Sequence, residues 1–231
     1  MNRSFRLALL LLFSLMLSGA VAEAQYLNPK LQSKQILVRN VVILPPKIEI
    51  VRESMKGNEG MVEESAAASA KVAELVAQAF ADKKVNVLAS PFANLTSEAD
   101  ADKKYTLADI QTRYDALLPK MVNHSKDVKK ERFSLGDEVS TLNVDKSADA
   151  VVFIRGQGKK LTKGKTVFAI LNPFSLDFPF VFITIGIVDA HTGEVLALAK
   201  PSALGDITSP KAEKSLRKLL VKSLKKVPDA Q

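Results

Sequence analysis

Few side chains in this 231-residue sequence have the type and spacing to do chemistry. Cysteine is absent, which removes thiol nucleophiles and thiolate metal sites together. The two histidines, His124 and His191, stand far apart, and neither has a histidine three or four residues away to form a helical metal pair. His191 falls in Asp189-Ala190-His191-Thr192-Gly193-Glu194, a hairpin connection in which Gly193 supplies the positive φ, and it reads as a solvated turn residue. No serine stands in a G-x-S-x-G elbow. Glu98, Asp100 and Asp102 alternate like the start of a calcium loop, but position 6 of that frame lacks glycine, so a solvated loop fits better. Gly164-Lys165-Thr166 resembles the tail of a phosphate loop with Gly158 upstream. Five residues separate the two glycines where four are needed, and the strand-like Val167 to Leu171 follows where a helix must begin. A hairpin turn fits that segment better.

What remains is cationic or aromatic. Arg155, Lys159, Lys160, Lys163 and Lys165 gather around a basic turn expected from Gly156 to Gly164, and they form the candidate anion contact. A second cluster, Lys211, Lys214, Arg217, Lys218, Lys222, Lys225 and Lys226, lies on the last expected helix. Five of the 11 phenylalanines, Phe168, Phe174, Phe178, Phe180 and Phe182, fall within one short segment. Phe178, Phe180 and Phe182 alternate, share one face of a strand and are expected to pack beneath a helix. Phe174 and Leu176, between Asn172-Pro173 and the pair Asp177 and Pro179, are expected at an exposed loop tip and are the candidate docking residues.

The amino-terminal residues point to export. Arg3 and Arg6 precede an apolar run from Leu7 to Leu17, and the small-residue sites Ala20-Val21-Ala22 and Ala22-Glu23-Ala24 follow it. That is the order of a cleaved signal peptide spanning residues 1–24, and the run is too short for the roughly 20 apolar residues that span a bilayer. Cleavage before Gln25 removes Arg3, Arg6 and Glu23 and leaves the net charge one unit below the +8 of the full chain. Such a balance favours an anionic membrane surface or wall polymer as neighbour, and nucleic acid is not an expected partner of an exported protein. Without cysteine there is no disulfide and no acylated anchor, so stability has to come from a core. Hydrophobic residues at 47% and charged residues at 25% suit an ordinary globular chain.

The elements that must position these residues alternate between strand and helix. Ile36 to Leu44 reads as a buried strand stopped by Pro45-Pro46, with Ile48 and Ile50 prolonging it after a kink. Met55 to Gly60 reads as a loop. Val62 to Lys83 carries Val72, Leu75, Val76, Ala79 and Phe80 at helical spacing. Val85 to Leu88 reads as a short strand and Leu95 to Lys104 as a surface loop. Thr106 is placed to cap a helix from Leu107 to about Leu118, with Pro119 ending or kinking it. Ser134 is expected to cap a helical turn through Val139 and Leu142. Ala148 to Ile154 is a central strand, Thr166 to Leu171 another, and Phe178 to Val188 a strand covered on both faces. Val195 to Lys200 completes a hairpin, and a helix starts at Ser209 with Pro210 in its first position. The expected fold is a single α/β domain over residues 25–231, a mixed sheet of about five or six strands with helices packed on it.

This order of elements resembles a known group. A strand ending in Leu44-Pro45, an Ala-rich helix ending near Phe80, Ser147-Ala148-Asp149-Ala150-Val151-Val152, and Val188-Asp189-Ala190 followed by Thr192-Gly193-Glu194-Val195 are similar to the bacterial envelope proteins related to the curli-secretion lipoprotein CsgG and the amino-terminal domain of TolB. The resemblance spans most of residues 36 to 226. It implies a non-enzymatic periplasmic or secreted part that docks onto an envelope protein, with no catalytic residue and no cofactor to carry over. The acylated cysteine of the lipoproteins in that group has no counterpart here. Two alternatives stand beside this expectation: a hydrolase or transferase with a dispersed site, and a carrier of a small apolar ligand that uses the Phe-rich segment as its pocket.

Overall fold

A computed structural model describes residues 25–93, 95, 97–162, 180–204, 210–224 and 227–228. The expected signal peptide, the strand at 166–171, the docking pair Phe174 and Leu176, and Lys163 and Lys165 lie outside the described residues.

The chain runs β1 (Gln25–Leu27), α1 (Pro29–Gln32), β2 (Asn40–Ile43), β3 (Lys47–Ser54), β4 (Gly57–Gly60), α2 (Val62–Ala81), β5 (Asn86–Leu88), α3 (Ala101–Asn123), β6 (Ala150–Leu161), β7 (Phe180–Asp189), β8 (Val195–Ala199), β9 (Ser202–Leu204) and α4 (Pro210–Leu224). It is an α/β fold on a mixed sheet whose main path is β1-β8-β7-β6-β2-β5, with β3, β4 and β9 attached to it. β2 and β3 both pair in parallel with β6, from Val41 opposite Ala150 to Glu53 opposite Leu161. They are two halves of one line of chain interrupted at Pro45-Pro46, where proline cannot donate to the ladder. β7 runs antiparallel along the other edge of β6, from Asp189 opposite Ala150 to Phe180 opposite Lys159.

Alternation along the strands builds a core on each face. Val41, Val152, Ile154, Ile183, Ile185 and Ile187 face Val72, Leu75, Val76, Ala79 and Phe80 of α2 and Leu216, Leu220 and Leu224 of α4. Val42, Val151, Phe153, Val188 and Leu198 face Leu107, Ile110, Tyr114 and Met121 of α3, with Val128, Val139 and Leu142 from the 3-10 turns beyond it. The sheet is therefore the middle of three layers, and each strand residue is assigned to its layer by the two-residue period.

Several expectations needed correction. Met55–Gly60 is a hairpin with β4 rather than a loop, held by pairing of Val51–Ser54 with Gly57–Gly60. Gly156 to Leu161 is not a turn but the continuation of β6, because β3 and β7 supply ladder partners on both edges. Ile50, Val181 and the neighbouring backbone fill the space beside Gly158, where an added Cβ would meet Ile50 Cδ1 at 2.5 Å. The run around Glu98 and Asp102 is a 3-10 turn leading into α3, which reaches Asn123 with Pro119 inside it. Asp100 accepts hydrogen bonds from the Ser97 hydroxyl and N–H, at 2.7 Å and 3.3 Å, and the hydroxyl holds its carboxyl below the usual range. Thr106 donates back to the Asp102 carbonyl within the helix instead of capping it. Gly136, not Ser134, precedes the 3-10 turn at Asp137–Leu142. Gly193 takes the expected positive φ, at 70°.

Candidate functional site: a cleft over Arg155

Above the level of α3 the long strands β3, β6 and β7 extend as an arm with two unlike faces. On one face Ile48, Ile50, Val181 and Ile183 are buried in the core beneath α2. The other face carries Lys47, Arg155 and Thr184 in one row, Glu49, Gln157 and Phe182 in the next, and Val51, Lys159 and Phe180 in the third, as the register dictates. Beyond Asp115 and Leu118 of α3 this face is open: Glu49 and Gln157 are exposed and Phe182 keeps 54% of its surface in solvent. The expectation that Phe180 and Phe182 lie beneath a helix is thus reversed. Alternation says that they share a face, but the β-branched Val181 and Ile183 on the opposite face take the helix. The rings of Phe180 and Phe182 touch, with centroids 4.6 Å apart.

A cleft of about 550 Å³ lies at the foot of this arm, lined by Lys47, Asp115, Leu118, Arg155, Gln157 and Phe182 among others. A neighbouring groove of about 380 Å³ continues past Lys159 to Phe180. Arg155 forms part of the first and is only 7% exposed. Its Nε donates to Asp115 Oδ1 at 2.5 Å, and its Nη1 donates to the Ile154 carbonyl at 3.0 Å. Its Nη2 has no hydrogen-bond partner among the described residues. Lys47 Nζ reaches Asp115 Oδ2 at 3.2 Å, so one carboxylate is shared by two cations. The guanidinium carbon stands 5.4 Å from the ring centroid of Tyr114, which stacks on Phe153 at 4.2 Å. That close stack is possible because the residue opposite Phe153 is Gly186, where a Cβ would lie 2.3 Å from the Tyr114 hydroxyl.

The exposed edge of β3 is closed by α2. Ile50 N–H donates to Ser65 Oγ at 2.9 Å and Ile48 N–H donates to Ser69 Oγ at 3.3 Å. An incoming strand therefore finds these two edge donors already engaged. Across α3, Pro119 has no N–H for the Asp115 carbonyl, which loses its helical donor at the rim of the cleft.

No protein-family profile matches the chain, and no curated protein matches it in sequence. Among solved structures, the PelC dodecamer from Paraburkholderia phytofirmans is similar at 10% identity, covering 91% of this chain and 99% of that one with a TM-score of 0.38. The lipoprotein GNA1162 from Neisseria meningitidis is similar at 13% identity, covering 81% of this chain and 96% of that one, also with a TM-score of 0.38.

The expected anion contact is redistributed by the fold. Arg155, Lys159 and Lys160 lie on one strand, not a turn. Arg155 is paired with Asp115, Lys159 forms an ion pair with Glu53, and Lys160 is also engaged. The hydroxyls of Ser65 and Ser69 accept from the β3 backbone, and the Asp115 carboxylate is shared by two cations. His124 and His191 are exposed and are not among the residues that line the cleft. Among the described residues no group of three His, Cys, Asp or Glu is placed to hold a metal ion, and no helix is long and apolar enough to cross a membrane.

Sequence reasoning named Arg155 but missed Asp115, Lys47 and Phe182. Asp115 lies 40 residues before Arg155, and nothing local marks the pair. Phe182 carried a signal in its alternation with Phe180, but the face it occupies depends on which side α2 covers.

Proposed function

We propose that the chain is an exported, non-enzymatic envelope protein acting as a binding or assembly component, as its resemblance to the CsgG and TolB group implies, and that the cleft over Arg155 holds its partner. One observation carries this reading: a cleft with exposed Phe182 on its wall and, at its foot, the buried Arg155 guanidinium, whose Nη2 has no acceptor among the described residues. A carbonyl or carboxylate from a partner would satisfy that donor once the Arg155 side chain turns towards the cleft, and an unsatisfied buried donor costs on the order of 1–3 kcal/mol. Covering the 54% of Phe182 that remains exposed would add about 1–1.5 kcal/mol from apolar surface removed from water. Both gains appear on binding and neither needs a chemical step.

Phe182→Ser tests this without emptying the core, because the side chain already faces solvent. Native electrophoresis of envelope extracts should show the tagged wild-type chain in a larger complex and the variant released from it. Identical migration of the two would overturn the proposal. Export itself is read by intact mass: cleavage before Gln25 starts the mature chain on the first residue of β1, and a purified species that retains Met1 would contradict it.

A further inference from the structure

We infer that the outer face of α4 docks on an anionic phospholipid bilayer surface, independently of the cleft. Leu216, Leu220 and Leu224 turn inward against α2 and the sheet. Lys214, Lys218 and Lys222 then fall at i, i+4 and i+8 on the outward face, with Val221 among them. Lys214, Lys218 and Lys222 are exposed, and Val221 is 37% exposed. Lys214 and Lys218 have no ion-pair partner among the described residues.

Like charges spaced by four residues repel along a helix, so this row opposes the helix that carries it. Among the described residues the acids near Lys214 and Lys218 are directed elsewhere, while Lys222 has an interaction of its own. Glu213, the one acid on α4, pairs with Lys71 of α2 at 3.0 Å, and Asp82 is drawn to Arg217 at the flank of the row. Glu213 and Glu74 together raise the Lys71 pKa. What faces outward is a cationic row around a half-exposed valine. A bilayer with anionic headgroups complements both features: the ammonium groups meet phosphate while their methylene stems and Val221 lie against the interface. The excess of 33 basic over 25 acidic residues in the whole chain acts in the same direction.

The test is co-sedimentation of the exported chain with phosphatidylcholine vesicles, with and without phosphatidylglycerol. Binding is expected only to the doped vesicles and should weaken as salt shortens the Debye length below about 8 Å. Each cation near an anionic surface contributes about fivefold to partitioning, so Lys214→Gln with Lys218→Gln should weaken binding about 25-fold. Circular dichroism should be unchanged in that variant. Removing the same two charges at Lys126 and Lys129, exposed on the opposite layer of the fold, should weaken binding far less. Val221→Ser reports on apolar contact and should weaken binding without altering its salt dependence. Failure to bind the doped vesicles, equal losses from the two lysine pairs, or sedimentation with wall polymer in place of vesicles would overturn the inference.

Discussion

Tyr114 is fully buried, stacked on Phe153 and pressed against Gly186, and its hydroxyl has no hydrogen-bond partner among the described residues. A buried hydroxyl without a partner costs about 1–3 kcal/mol relative to one left in water. Tyr114→Phe removes that cost while the ring keeps its stack, and the loss of one oxygen leaves little void. The expected net effect is a gain of about 1 kcal/mol, which raises the melting temperature of a chain this size by about 2–4 °C. Urea unfolding should show a higher midpoint with an unchanged slope. There is also a pH signature. Burial pushes the phenol well above its ordinary value, with Asp115 adding to the shift and Arg155 opposing it. A raised folded pKa means that titration of the phenol leaves stability unchanged below the unfolded value of about 10, and that stability is lost as the pH rises from there through the folded value, because the unfolded chain ionises first. Wild type should lose stability over that alkaline range, and Tyr114→Phe should escape this part of the loss. A variant destabilised by 1 kcal/mol or more, or one with the same alkaline loss as wild type, would refute the reasoning and give the hydroxyl a partner.

Two further predictions concern packing. Gly186→Ala would place a Cβ 2.3 Å from the Tyr114 hydroxyl and 2.8 Å from a ring carbon, while Gly158→Ala meets the movable tip of Ile50 at 2.5 Å. The first should cost about 1–3 kcal/mol and the second clearly less, as read by chemical unfolding; equal costs would mean that the Tyr114 ring is not held in place. Asn28 is fully buried, caps α1 by accepting from the Lys30 N–H, and donates to Glu194 at 2.7 Å. Asn28→Ala should cost about 1–2 kcal/mol and expose β1 to limited proteolysis, and an unchanged digestion pattern would show that the strand is held by other contacts.

The legible parts of the fold were those where local pattern and global packing agree. The first half of β6, the Ala-rich α2, the hairpin at Asp189–Glu194 and the proline-led α4 all carry their period and punctuation in adjacent residues. The parts misread were those where long-range pairing overrides a local signal. Gly156 and Gly158 read as turn residues, yet β3 and β7 hold them in a strand on both edges. Gly57–Gly60 is exposed throughout and has no apolar alternation to announce an edge strand. Pro119 read as ending or kinking the helix; the helix does not end there but runs on to Asn123, with Met121 buried in the core beyond the proline. The site was the least legible, since Arg155, Asp115, Lys47 and Phe182 come from four separate elements that meet only once the sheet has formed.

Site-directed photocrosslinking in living cells is the most direct measurement of the cleft's role. A photoreactive residue at Phe182, 54% exposed at the cleft, is compared with one at Val62, which is 82% exposed at the start of α2 and absent from the cleft lining. The expected result is a discrete adduct with an envelope protein from position 182, absent from position 62 and lost when Arg155 is changed to glutamine in a chain that still folds. Adducts of equal yield from both positions, or none from position 182, would contradict the claim that this cleft is where the protein binds.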